Sequence, residues 1–185
     1  MIPTPQEAYE LLCEFNEGDF HRHHGAVVGD VMRWFCENTS EGEDPDLWQT
    51  VGILHDLDFE RWPEEHCVRS QRLMRERGID ELVVRATASH GFGGCVDIEP
   101  LSLMERTLFA VDELTGLIGA AALMRPSRSC DDLELKSVKK KFKDRRFAAG
   151  VSRETIEQGA AMLGMGLDEL IEKTVLAMRA SSHVD

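Results

Sequence analysis

VGILHDLDFE (Val51–Glu60) sets His55 and Asp56 directly behind the apolar residues Val51, Ile53 and Leu54, with Leu57 and Phe59 continuing the apolar character. The run reads as a buried helix. A carboxylate at the end of such a run is costly unless it is hydrogen-bonded, neutralised or matched by a positive charge. An Arg, a Lys or a metal ion would each serve. The choice depends on what else the chain brings to that place.

Around this stretch the punctuation is helical, and no strand pattern emerges. Thr4-Pro5-Gln6-Glu7 reads as a helix start, with Thr4 as N-cap, Pro5 in the first turn and Glu7 closing a capping box. Val27, Val28, Val31, Trp34 and Phe35 recur at helical spacing behind His24 until NTSEGEDPD (Asn38–Asp46) breaks the helix. A third helix is expected from Leu47 to Leu57. A fourth starts at Pro63-Glu64-Glu65 with Val68, Leu73 and Met74 inward and stops at Gly78. Asp80 caps a fifth, with Leu82, Val83 and Ala86 inward, ending at Ser89-His90-Gly91. GFGGCVDIEP (Gly91–Pro100) is a glycine-rich loop without the order of a phosphate-binding motif.

The longest helix should run from about Leu101 to Arg125, stopped by Pro126. Being apolar on nearly all sides after Phe109, it marks a central helix surrounded by others. After the loop Arg125–Asp132, one closing helix is capped by Ser152. Another carries the stripe Leu167, Leu170, Ile171, Val175 and Met178. The expected fold class is all-α, a single domain over 1–185 with a core of 20–125 and a C-terminal helical extension of 126–185.

A chain of 185 residues that is 42% hydrophobic can bury one sizeable core. Its formal net charge of −13 disfavours duplex nucleic acid and an anionic membrane surface as partners, but not a small anionic ligand. The five cysteines form no CxxC, and MIPTPQEAYE has neither a basic n-region nor an apolar h-region. LTGLIGAAALM (Leu114–Met124) is too short to span a bilayer. The expectation is a cytoplasmic protein in a reducing compartment. One segment departs from the average: KSVKKKFKDRR (Lys136–Arg146) holds seven of the 21 basic residues against a single Asp144, a local charge of +6. It is either a solvated surface helix or a positive wall beside a site for an anionic group.

Asp112 repeats the puzzle of Asp56, because it lies inside the most apolar helix, in LFAVDELTGLIG (Leu108–Gly119). Two carboxylates on separate helices suggest a shared cation. The seven histidines supply an inventory: His55 adjoins Asp56, His24 opens the second helix, His66 sits early in the fourth and His90 ends the fifth. Imidazole with carboxylate suits a divalent transition metal such as Fe, Mn, Co, Ni or Zn. Neighbours on a helix diverge by roughly 100°. A metal held by His55 and Asp56 would therefore need further ligands from other helices, and His24 and Asp112 could supply them.

His24, then His55-Asp56, then Asp112 resembles the H…HD…D signature of the HD superfamily of metal-dependent phosphohydrolases. The resemblance covers at least His24 to Asp112. It implies an α-helical bundle with a metal held by His24, His55, Asp56 and Asp112 between its central helices. Some members hold two metals with extra histidines after the dipeptide. His66 in PEEHCVRS and His90 in ATASHGF fall where those would be expected, with Asp56 bridging the ions. HDLDFE replaces the HDIGK pattern and no GYP motif follows, which argues against cyclic-dinucleotide hydrolysis.

The implied activity is hydrolysis of a nucleotide or related small phosphate ester by metal-activated water. Alternatives are a dinucleoside-tetraphosphate hydrolase, a di-iron oxygenase on the same fold, and a non-catalytic metal- and nucleotide-binding sensor. Asp58 is a candidate to orient the water or protonate the leaving oxygen, or else it caps a turn. Arg125, Lys140 and Lys141 are candidates for phosphate contact.

Overall fold

The computed structural model describes residues 1–183. Among them are nine α-helices and no named strand: α1 (Pro5–Phe15), α2 (Asp19–Thr39), α3 (Pro45–Leu54), α4 (Val68–Glu76), α5 (Glu81–Ala88), α6 (Leu103–Leu123), α7 (Leu135–Lys143), α8 (Arg153–Met162) and α9 (Leu167–Ala180). Two 3-10 turns, Pro63–Glu65 and Ser89–Gly91, complete the helical content. The architecture is all-α.

Local chemistry sets most helix starts. The Thr4 hydroxyl accepts from the Glu7 N–H while Glu7 accepts from the Thr4 N–H, the expected capping box. Ser102 and Glu105 build a second box that starts α6. Asp80 and Ser152 cap α5 and α8.

Three expectations need correction. The helix expected to reach Leu57 ends at Leu54, because the Leu57 N–H bonds back to the Leu54 carbonyl and Phe59 to that of Asp56, which is turn geometry. The helix expected from Pro63 is a single 3-10 turn, broken at Cys67 before α4 begins. Val68 and Leu82 are 54% and 47% exposed, since each stands in the first turn of its helix with Met74 or Val83 and Val84 taking the inward side.

α6 is the axis of the bundle and packs against α2, α5, α7, α8 and α9. Leu108, Ala110, Val111, Leu114, Leu117 and Ile118 are buried on it. The apolar core runs unbroken from Ala8 to Met178, so the helices after residue 126 share it. No helix among the described residues is long and apolar enough to cross a membrane.

The most extensive packing is α2 on α3, and it has a specific cause. A Cβ on Gly52 would lie 2.8 Å from both the Gly29 Cα and the Val28 carbonyl oxygen. Two glycines facing each other let the helix backbones touch, which draws the start of α2 against the end of α3. That approach carries His24 to His55.

Candidate metal centre

Six side chains from five segments meet beside α6. His24 comes from the first turns of α2, and His55 is the residue that ends α3, with Asp56 next to it. His66 leaves the turn before α4, His90 sits in the 3-10 turn after α5, and Asp112 projects from mid-α6. All six ligands proposed from sequence are therefore together.

Their atoms pair in a definite way. Asp112 Oδ1 is 3.0 Å from His24 Nε2 and 3.2 Å from His55 Nε2. Asp56 Oδ2 faces the same two rings, at 3.8 and 3.4 Å. Asp56 Oδ1 faces the other pair, 3.5 Å from both His66 Nε2 and His90 Nε2. Those two nitrogens are 3.1 Å apart.

Hydrogen bonds on the far side of three rings fix what these nitrogens can do. His55 Nδ1 lies 2.7 Å from the Gly52 carbonyl, His90 Nδ1 2.5 Å from that of Thr87, and His66 Nδ1 2.8 Å from Asp58 Oδ1. Carbonyls and carboxylates only accept, so each Nδ1 carries the proton and donates. In the neutral rings Nε2 is then a bare lone pair. His55 Nε2 is fully buried without a hydrogen-bond partner, and the His66 and His90 lone pairs face each other. Such an arrangement requires a cation, either a shared proton or a metal ion. Histidines anchored through Nδ1 with Nε2 converging on carboxylates are how metal ligands are built. The donor set suits a metal ion, and His/Asp/Cys groups here are positioned to hold one.

The ionisation of the chain without metal expresses the same demand. Burial works against a charged His55, but the carboxylates of Asp56 and Asp112 outweigh it and push the ring up to about 10. His66, also opposed by burial, is held up to about 9 chiefly by Asp58, and His90 is raised as well. Burial alone would raise Asp56 and Asp112, yet the imidazoles, His55 foremost, hold both below the usual carboxylate range. Protons occupy the places that an ion would take.

A cavity of about 710 Å³ opens onto the cluster, walled by Phe20, Phe59, the loop Gly91–Cys95 and the start of α8. Asp56, Asp112, Glu113 and Glu154 line it, and no Lys or Arg does. The expected cationic residues lie elsewhere. Arg125 is engaged with Asp132 at 2.7 Å, Lys140 is exposed, and Lys141 lies 4.4 Å over the Phe147 ring. Arg145 of the basic run meets the rim, paired with Glu154. Asp58, a candidate either to orient water or to cap a turn, is fully buried. One of its oxygens holds His66 and the other accepts the Ser70 N–H at 2.7 Å. Its role in this geometry is to position His66.

Three contributors escaped the reading of the sequence. Buried Cys67 lies 3.7 Å from His90 Nε2, and its thiol, although burial opposes ionisation, is drawn down to about 7 by His90 and His66. Its signal was its place beside His66 in PEEHCVRS. Glu113 lines the cavity, accepts the Ser152 N–H, and is raised by burial and by Asp112. Arg153, fully buried without a carboxylate, donates to the carbonyls of Phe142, Asp144, Phe147, Ala148 and Val151, which ties down the loop carrying Gly150 and Ser152 on the cavity wall. No sequence pattern marks it.

Fold and site thus define an all-α protein with a His/Asp cluster able to hold a metal ion. Compared with known protein families, with curated proteins and with solved structures, the chain finds no match in any of the three.

Proposed function

We propose that this chain is a metal-dependent phosphohydrolase of the HD kind, acting on a small phosphate ester at a centre of two divalent ions. The observation that carries the reading is the division of Asp56: Oδ2 faces His24 and His55, and Oδ1 faces His66 and His90. One carboxylate serving two imidazole pairs is what a bridging ligand requires. One ion would be held by His24, His55, Asp56 and Asp112, and the other by His66, His90 and Asp56. Bound there, such ions supply Lewis acidity toward a phosphoryl oxygen and make water acidic enough to deprotonate near neutral pH.

The chain's own residues do the rest. Gly52, Thr87 and Asp58 hold three rings in one tautomer, so that Nε2 is free. Glu113, raised by burial, holds a proton at the cavity wall more readily than an exposed glutamate would, and it suits the role of general acid. The cavity volume falls in the range of small-molecule sites and accommodates a nucleotide-sized molecule. Because no Lys or Arg lines it, substrate charge would be met by the ions alone. This favours a monoester over a tetraphosphate, whose extra charges would find no Lys or Arg on the cavity wall.

The cationless lining favours one second reading. Four imidazoles and two carboxylates also suit a di-iron centre that oxidises an uncharged substrate. The test is a screen of nucleotides and small phosphate esters for phosphate release, with protein loaded separately with Mn, Fe, Co, Ni and Zn. An aerobic iron arm is analysed for oxidised product. Phosphate release that Asp112→Ala abolishes supports hydrolysis. Oxidised product without phosphate release from any loaded form overturns it in favour of oxidation.

A further inference from the structure

We propose that Cys67 is a metal ligand: its thiolate joins His66, His90 and Asp56 at the second ion, which makes the two halves of the centre chemically unequal. The proposal rests on the two-ion reading above and concerns which donors complete it.

The nitrogen and oxygen distances agree with a common ligand shell, and the sulfur stands at its edge. Cys67 Sγ is 3.7 Å from His90 Nε2 and 4.0 Å from its Nδ1, beside the ring, and it lies within 4.8 Å of the nearest ligand nitrogens of both histidines. Around a tetrahedral ion with metal–sulfur and metal–nitrogen bonds of roughly 2.3 and 2.0–2.1 Å, sulfur and nitrogen stand about 3.5 Å apart and two nitrogens about 3.4 Å. The Nε2–Nε2 separation of 3.1 Å and the two Asp56 Oδ1 contacts at 3.5 Å belong to the same scale. The His90 side chain is only 5% exposed, and its lone pair points at that of His66. Two lone pairs that face each other, with a carboxylate oxygen 3.5 Å from each and a thiol 3.7 Å from one, have no stable arrangement without a cation among them.

Two further features show that the fold is arranged around this sulfur. Cys67 has a left-handed backbone (φ 63°), a conformation that residues other than Gly, Asn and Asp seldom adopt and that gathers at functional sites. It precedes α4, yet its side chain makes no capping hydrogen bond, so helix initiation does not explain it. Across from it, a Cβ on Gly91 would lie 2.5 Å from Cys67 Sγ. Residue 91 has to be glycine for the thiol to sit beside the histidines.

The consequence is selectivity. His24, His55 and Asp112 offer only nitrogen and oxygen, whereas a thiolate favours softer ions such as Zn or Co over Mn or Mg. The second position should keep zinc or cobalt while the first exchanges more freely.

The experiment titrates metal-free full-length protein with cobalt(II) and follows the near-ultraviolet thiolate-to-cobalt charge-transfer band, with bound cobalt counted by elemental analysis. Wild type and Cys95→Ser should bind two ions and show the band. Cys67→Ser should lose the band and bind its second ion at least tenfold more weakly. Two bound ions without a band in wild type overturn the thiolate ligand and leave the two-ion centre standing. A single bound ion without a band overturns both. A band kept by Cys67→Ser and lost by Cys95→Ser assigns the sulfur elsewhere and overturns the proposal. X-ray absorption on zinc-loaded wild type removes any dependence on the variant's folding. A sulfur shell at about 2.3 Å is expected, and its absence overturns the proposal.

Discussion

Raising the pH should destabilise the metal-free protein more than its general charge can explain. His55 is held up to about 10 and His66 to about 9, against an ordinary value of 6.5 in the unfolded chain. A folded-state value above the unfolded one means that the folded protein binds more protons. The stabilisation is complete below about pH 6.5 and is lost as pH rises through 9 and 10. At roughly 1.4 kcal/mol per tenfold change in proton affinity, His55 corresponds to about 5 kcal/mol and His66 to about 3 kcal/mol. The two rings share Asp56, so these do not add, and the loss expected between pH 6.5 and 9.5 is about 3–5 kcal/mol. Urea unfolding of chelator-treated protein at pH 6.5, 8 and 9.5 measures it. The double variant Asp56→Asn with Asp112→Asn is the control, because it removes the carboxylates that raise His55 while keeping their shape. Wild type should lose several kcal/mol more than the control over this range. Equal losses would refute the argument, because the pH dependence would then come from overall charge. Metal affinity should move the opposite way and strengthen with pH, as protons leave the ligand nitrogens.

Three other outcomes follow from the same geometry. His55→Ala or Asp112→Ala should lose metal and cost the metal-loaded protein about 3–5 kcal/mol, since each leaves a buried charge without its partner; elemental analysis and thermal melts check both, and unchanged metal content would sink the ligand assignment. Gly52→Ala should destabilise by roughly 1–3 kcal/mol and weaken metal binding, because its Cβ would meet the Gly29 backbone at 2.8 Å; an unaltered melt would mean that α2 and α3 can separate without consequence. Lys140→Ala with Lys141→Ala should raise KM by no more than about twofold at low salt and not at all at high salt, as befits long-range attraction from residues outside the cavity lining. A salt-insensitive, severalfold rise in KM would restore them as direct phosphate contacts.

The sequence by itself determined the helices and the question at their centre. Capping at Thr4, Asp80 and Ser152 and the all-round apolar character of α6 are local patterns, legible because each rests on residues within a few positions of one another. Asp56 and Asp112 were legible for a different reason: a carboxylate in an apolar run demands a partner wherever the chain goes. The sequence misjudged the end of α3 and the start of α4, where backbone turn bonds and a left-handed Cys67 override periodicity. Only the tertiary structure decided which nitrogen faces which oxygen, since His24 and Asp112 are 88 residues apart and meet because α2 packs on α6, while Gly29 and Gly52 let α2 touch α3 and bring His24 to His55. It turned Asp58 from a candidate for chemistry into the anchor of His66, and it set the basic run against α6 and α9 instead of the cavity. It also brought Cys67 beside His90, 23 residues away. Periodicity records which face of a helix is buried, and the atoms that meet across the core are fixed by how the faces pack.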